Sequence, residues 1–162
     1  MLRVTGATIA VLLALLSSTE ASCPAELFRI TRSTNRNVVV YELGERAATA
    51  RWPTVRASWI LVENGGRRQD LNFLERSRAY GFDVVDGPDG LKVTLKADRW
   101  GEILVREHDG CLRAFRRIQG REALLERIHI EASGGLVPSV KWLDVFGTDP
   151  RTGEALREHI VP

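Results

Sequence analysis

Between residues 28 and 42 the chain reads FRITRSTNRNVVVYE, which places Arg32, Ser33, Asn35, Arg36 and Asn37 around one turn between two apolar runs. Guanidinium forks and amide groups gathered in this way can hold a carboxylate, a phosphate or a sugar hydroxyl. The same residues also have a structural use. Asparagine folds turns by bonding nearby backbone and tolerates left-handed φ, so Asn35 and Asn37 can shape a hairpin tip while Arg29 and Arg36 face water. Further along, LNFLERSRAYG offers Glu75 and Tyr80. A Glu75–Arg32 pair with the Tyr80 hydroxyl beside it would make either a latch between helix and hairpin or the floor of a ligand site. Burying such a pair need not stabilise the fold. Trp100, in ADRWGE, is the tryptophan placed to stack on a sugar; its alternative is a turn aromatic folded over the edge of the core. Trp59 and Trp142 lie within strand-like runs and are expected in the core.

Other chemistries find less in the sequence. His108, His129 and His159 show no HxH or HxxxH spacing that would present two nitrogens from one element, so no metal is expected. Asp144, Asp149 and Glu154 lack the order of an EF-hand loop, and Pro150 with Gly153 reads as a turn. There is no GxSxG elbow, and Asp83, Asp86 and Asp89 surround the turn residues Gly87, Pro88 and Gly90. Residues converging from distant strands escape this kind of reading. The enzyme question therefore leans to no without closing, and no cofactor is expected.

These residues need a frame, and the frame begins with export. Residues 1–21, MLRVTGATIAVLLALLSSTEA, carry Arg3, an apolar run from 7 to 16 broken only by Thr8, and small residues at 19 and 21. This is the pattern of a secretory signal peptide cut after Ala21. The run falls short of the roughly 20 residues that cross a bilayer, so no transmembrane segment is expected. Residues 22–162 then form a single domain. Cys23 and Cys111, the two cysteines, are expected to form one disulfide in an oxidising compartment. The alternative is a lipid anchor on Cys23, which excludes the bridge. With 23 basic and 21 acidic residues interspersed, the net charge is +2, and no basic stripe of the kind that tracks nucleic acid stands out.

Short apolar runs separated by Gly, Asp, Asn and Pro dominate the rest. Strands are expected at 27–32, 37–43, 58–63, 82–85, 91–97, 102–108, 111–118, 124–132, 139–146 and 155–160. Asp109-Gly110 is a two-residue hairpin signal. One helix is expected over 72–81, with Asn72 and Glu75 at capping-box spacing, Gly81 as a left-handed stop, and Phe73, Leu74 and Tyr80 as its apolar face. About ten short strands and one short helix predict a mainly β fold, an antiparallel β-sandwich or partly closed barrel.

Three elements carry a family resemblance. They are RSxNxN (Arg32, Ser33, Asn35, Asn37), ExxxAYG (Glu75, Ala79, Tyr80, Gly81) and FGxDxxTG (Phe146, Gly147, Asp149, Thr152, Gly153). Through them the chain, from Phe28 to Pro162, resembles the Domain-of-Unknown-Function 4833 family of small exported bacterial domains. The resemblance implies an exported single domain and supplies no chemistry.

The functional expectation is a periplasmic or secreted binding or accessory domain of the cell envelope, acting on an envelope ligand or protein. Its alternatives are an envelope hydrolase acting on a glycan or ester, and a structural domain of a larger assembly.

Overall fold

A computed structural model of the chain describes residues 22–97, 101–133 and 140–161. Residues 1–21, where a signal peptide is expected, and Trp100 lie outside the described residues. The apolar runs become eleven strands: β1 (Glu26–Arg32), β2 (Asn35–Leu43), β3 (Val55–Leu61), β4 (Arg67–Asp70), β5 (Phe82–Asp86), β6 (Gly90–Leu95), β7 (Glu102–His108), β8 (Cys111–Ile118), β9 (Arg121–Ala132), β10 (Val140–Thr148) and β11 (Ala155–Ile160). The fold is mainly β, as the punctuation by turn residues predicts.

Alternation decides which face each strand buries. In β6, Leu91, Val93 and Leu95 are buried while Lys92 is exposed. In β10, Leu143 and Val145 enter the core, and Trp142, Asp144 and Phe146 take the other face. β4 was not expected. Its sequence, RRQD, is exposed throughout and carries no apolar signal, and only pairing to β3 makes it a strand.

β9 organises the sheet. β10 runs antiparallel along one edge of it, from Leu124 to Ala132. The opposite edge is divided: β8 takes Arg121–Leu124 antiparallel, and β1 takes Arg127–Ile130 in parallel. Two wings leave that divided edge, β1-β2-β3-β4 and β8-β7-β6-β5, giving one curled mixed sheet. The parallel β1–β9 pair departs from the all-antiparallel expectation. Parallel pairing needs a long connection, and most of the domain lies between these two strands.

The wings share one apolar core. Phe28 stacks on Tyr41 with ring centroids 4.4 Å apart, and Tyr41 meets Phe82 of the other wing edge-on at 5.7 Å. Such ring pairs are worth about 0.5–1.5 kcal/mol beyond burial. The Trp52 indole N–H, from the β2–β3 loop, donates to the Gly87 carbonyl of the β5–β6 turn (3.1 Å), a polar tie between the wings. A Cys23–Cys111 disulfide joins the segment before β1 to the first residue of β8, with Cα atoms 5.5 Å apart. Among the described residues no helix is long and apolar enough to cross a membrane.

The helix expected over 72–81 is reduced to a wide turn, Glu75–Ala79, in which the Tyr80 amide bonds the Glu75 carbonyl at 2.8 Å. Its capping box forms reciprocally: Glu75 N–H donates to Asn72 Oδ1 (3.0 Å), and Asn72 N–H to Glu75 Oε2 (2.8 Å). Two expectations fail. Phe73 and Leu74 are exposed, Phe73 by 82%, because a single turn is too short to present a continuous apolar face, and Leu71 enters the core instead. Gly81 adopts no left-handed conformation; a Cβ there would lie 1.5 Å from the Arg76 carbonyl oxygen. Glycine is needed for that close approach.

Candidate functional site

Two polar clusters stand out, one at the β1–β2 tip and one on the outer face of the sheet. At the tip, Arg32 follows Phe28 and Ile30 on the inward face of β1. Its guanidinium lies 4.6 Å from the Trp59 ring centroid, bonds the Tyr80 hydroxyl through Nη1 (3.3 Å) and bonds Asn35 Oδ1 through Nε (3.2 Å). Tyr80 packs edge-on against Trp59 at 5.0 Å, and its carbonyl accepts the Tyr41 hydroxyl at 2.8 Å. Burial pushes the Tyr80 phenol up, against the opposing pull of Arg32; burial also raises Tyr41. Both phenols stay neutral, Tyr41 donating to the Tyr80 carbonyl and the Tyr80 hydroxyl accepting from Arg32.

The two amides shape the turn. Asn35 Oδ1 accepts the Asn37 N–H (3.1 Å), and Asn37 Oδ1 accepts the Glu63 N–H (3.3 Å). Ser33 is exposed, and its backbone N–H reaches the Ile130 carbonyl of β9 at 3.1 Å. The fold thus gathers Arg32, Ser33, Asn35, Asn37 and Tyr80 as the sequence suggested, with Trp59 in the core. The Glu75–Arg32 pair does not form, because the Glu75 carboxylate is engaged by the Asn72 amide. The amide oxygens are likewise committed to backbone, so the cluster ties hairpin, turn and core together.

The second cluster was not anticipated. β10 lies between β9 and β11, and register sets three residues in a row: His129, Asp144 and His159 are direct strand partners. One step along, Arg127, Phe146 and Arg157 form the next row. Asp144 is only 3% exposed, yet it bonds Arg157 Nη2 (2.6 Å) and His159 Nδ1 (2.9 Å). Burial opposes its charge, but the bonds from Arg157 and His159 prevail and hold the carboxyl below its usual range. Trp142 lies with ring centroids 5.8 Å from His129 and 5.2 Å from His159. Arg127 and Arg157 approach opposite sides of the β10 strand over Phe146, at 4.1 and 5.6 Å from its centroid. His129 Nδ1 is 2.9 Å from the Thr31 hydroxyl.

Trp142 therefore sits half-buried on the outer face and not in the core, since it falls on the same strand parity as Asp144. The histidines that looked remote in sequence are two strands apart. Among the described residues no group of three or more His, Cys, Asp or Glu is placed to hold a metal ion. Asp149 shapes its turn by accepting the Arg151 and Thr152 amides at 2.9 and 3.1 Å. The i, i+2 patterns Trp142/Asp144/Phe146, Arg127/His129 and Arg157/His159 were legible singly. Their alignment needed the pairing of three strands.

In comparisons with known proteins, the family described as Domain of unknown function (DUF4833) matches residues 28–159. No curated protein and no solved structure matches the chain.

Proposed function

We propose that this chain, which belongs to the Domain of unknown function (DUF4833) family, is an exported, non-catalytic binding or accessory domain of the cell envelope. The observation that carries the reading is the outer face of β9, β10 and β11. There the solvent-facing heads of His159 and Arg157 are fixed by a buried carboxylate beside the Trp142 and Phe146 rings. Side chains held this way lose little freedom on binding, which favours recognition. The Cys23–Cys111 bridge supports export, to the periplasm or beyond, because disulfides persist in oxidising compartments. A bridged Cys23 sulfur is not available to a lipid. The cut after Ala21 and the single domain over 22–162 belong to the same proposal.

The test is production of the full chain in a bacterial host with a disulfide-forming periplasm. The expected product begins at Ser22, has an intact mass lacking two hydrogens, and sediments with purified envelope material. Trp142→Ala with Phe146→Ala should abolish sedimentation without changing the fold. Reduced protein retaining Met1, or sedimentation indifferent to the substitutions, overturns the reading.

A second reading has an observation of its own. β5 ends the sheet order and exposes Val84 and Val85, as expected of a domain that pairs into a larger assembly. Light scattering of the purified protein, expected to show assembly that Val85→Lys abolishes, tests that reading.

A further inference from the structure

We propose that Asn64, in the exposed Asn64-Gly65-Gly66 turn between β3 and β4, is a site of spontaneous deamidation through a cyclic imide, and that the change loosens the β1–β2 tip. The reaction needs only water and stands apart from the binding reading.

The chain has four asparagines, and the fold treats one of them differently. Asn35 Oδ1 accepts the Asn37 N–H, Asn37 Oδ1 accepts the Glu63 N–H, and Asn72 Oδ1 accepts the Glu75 N–H. Each of these three is followed by a residue with a side chain: Arg36, Val38 or Phe73. Asn64 makes no side-chain hydrogen bond to the described residues, and glycine follows it. A bonded side-chain amide is held away from its own backbone, and a Cβ on the next residue crowds the ring that must form. Neither obstacle exists here. At Gly65 no heavy atom lies within 4 Å of the place a Cβ would take.

In the reaction the backbone nitrogen of Gly65 attacks Asn64 Cγ. A C–N bond forms, and the bond from Cγ to the side-chain nitrogen breaks. That nitrogen leaves as ammonia, carrying the proton given up by the attacking amide. Water then adds to either carbonyl of the imide and opens it to aspartate or isoaspartate. The turn must flex for the attack, and the Gly66 N–H on the Leu61 carbonyl (2.9 Å) resists this. Residues 62–66 are all exposed, so local opening costs little.

The consequence falls on Glu63. Its N–H donates to Asn37 Oδ1 at 3.3 Å, and its Oε1 accepts the Arg36 N–H at 3.1 Å, so it ties this turn to the tip. Isoaspartate reroutes the chain through the side-chain carbon and lengthens the backbone directly after Glu63. Either product sets a new negative charge beside the Glu63 carboxylate.

The test ages the oxidised protein in warm, mildly alkaline buffer. Its peptides are then mapped by mass and chromatography against synthetic peptides carrying asparagine, aspartate or isoaspartate at this position. The Asn64 peptide should convert, faster as pH rises because the attacking amide must lose its proton. Peptides holding Asn35, Asn37 and Asn72 should stay intact. Gly65→Ala should lose most of the conversion. Gly66→Ala is the control: it carries the same backbone strain, at φ +79°, but leaves the attacking residue untouched, and it should convert like the parent. Hydrogen exchange of the aged protein should quicken at the Arg36 and Glu63 amides and stay unchanged in β7 and β8. Conversion seen only in urea, spread equally over the other asparagines, or undiminished in Gly65→Ala overturns the site. Conversion with unaltered exchange at Arg36 and Glu63 overturns the loosening of the tip.

Discussion

His159 and Asp144 are direct partners across β11 and β10, with the imidazole Nδ1 2.9 Å from a carboxylate that is only 3% exposed. An ionised carboxylate only accepts hydrogen bonds, so Nδ1 carries the proton and the tautomer is set. Arg157 completes the arrangement at 2.6 Å from the second oxygen. The acid is deep and its partners are half in water, a geometry that orients exposed heads without burying opposite charges together.

Replacing Asp144 by Asn keeps the shape and removes the charge. The variant should lose about 1–2 kcal/mol of stability, the loss being limited because Arg157 and His159 can hydrate. Urea denaturation at neutral pH measures it. A change within experimental error would show that the buried carboxylate contributes nothing.

Acid should weaken the fold through Asp144 and Asp149. For Asp144, burial works against ionisation and the Arg157 and His159 bonds overcome it; for Asp149, the Arg151 and Thr152 amides are the main cause. Both carboxyls are held below their ordinary range. The stability they contribute is complete above the unfolded value of about 3.9 and is lost as pH falls through the folded values. The urea midpoint should drop on acidification, and Asp149→Asn should flatten that drop. A midpoint that rises in acid contradicts the assignment.

Gly81→Ala should destabilise by at least about 2 kcal/mol, because the new methyl meets the Arg76 carbonyl and backbone must move. Gly65→Ala is the comparison. It has φ +72° and open space, so it should cost only about 1 kcal/mol. Thermal melts of the pair should preserve that order; equal losses would place the Gly81 requirement elsewhere.

Removing the disulfide by Cys23→Ser with Cys111→Ser should cost about 4 kcal/mol, the loop-closure value for so long a span, less any residual structure in the unfolded chain. Reductant should lower the parent's melting temperature and leave the double variant unmoved. Identical melts with and without reductant would refute a stabilising bridge.

Arg32→Ala should cost about 1–2 kcal/mol, since it deletes the bonds to Tyr80 and Asn35 and the contact over Trp59. Lysine at this position should recover little, because it lacks the planar fork. Full recovery by lysine would mean that charge alone is at work at the hairpin tip.

Much of this was present in the chain as local physics. Alternation in residues 91–95, the Asp109-Gly110 turn, the Asn72/Glu75 capping box and the Cys23–Cys111 bridge are all visible as residue types at fixed spacing, and each forms as read. They depend on neighbours in sequence or, for the sulfurs, on there being only two. Pairing between distant strands has no such local mark. Nothing near residue 30 announces that β1 will lie parallel to β9, and nothing in RRQD announces β4. Alternation put Trp142 and Asp144 on one face but could not say which face meets the core. The row His129, Asp144, His159 exists because β10 settles between β9 and β11 in one register. A slip of one residue would turn each of these side chains to the opposite face. That register is fixed by Leu143 and Val145 entering the shared core, a decision taken by packing across the whole sheet.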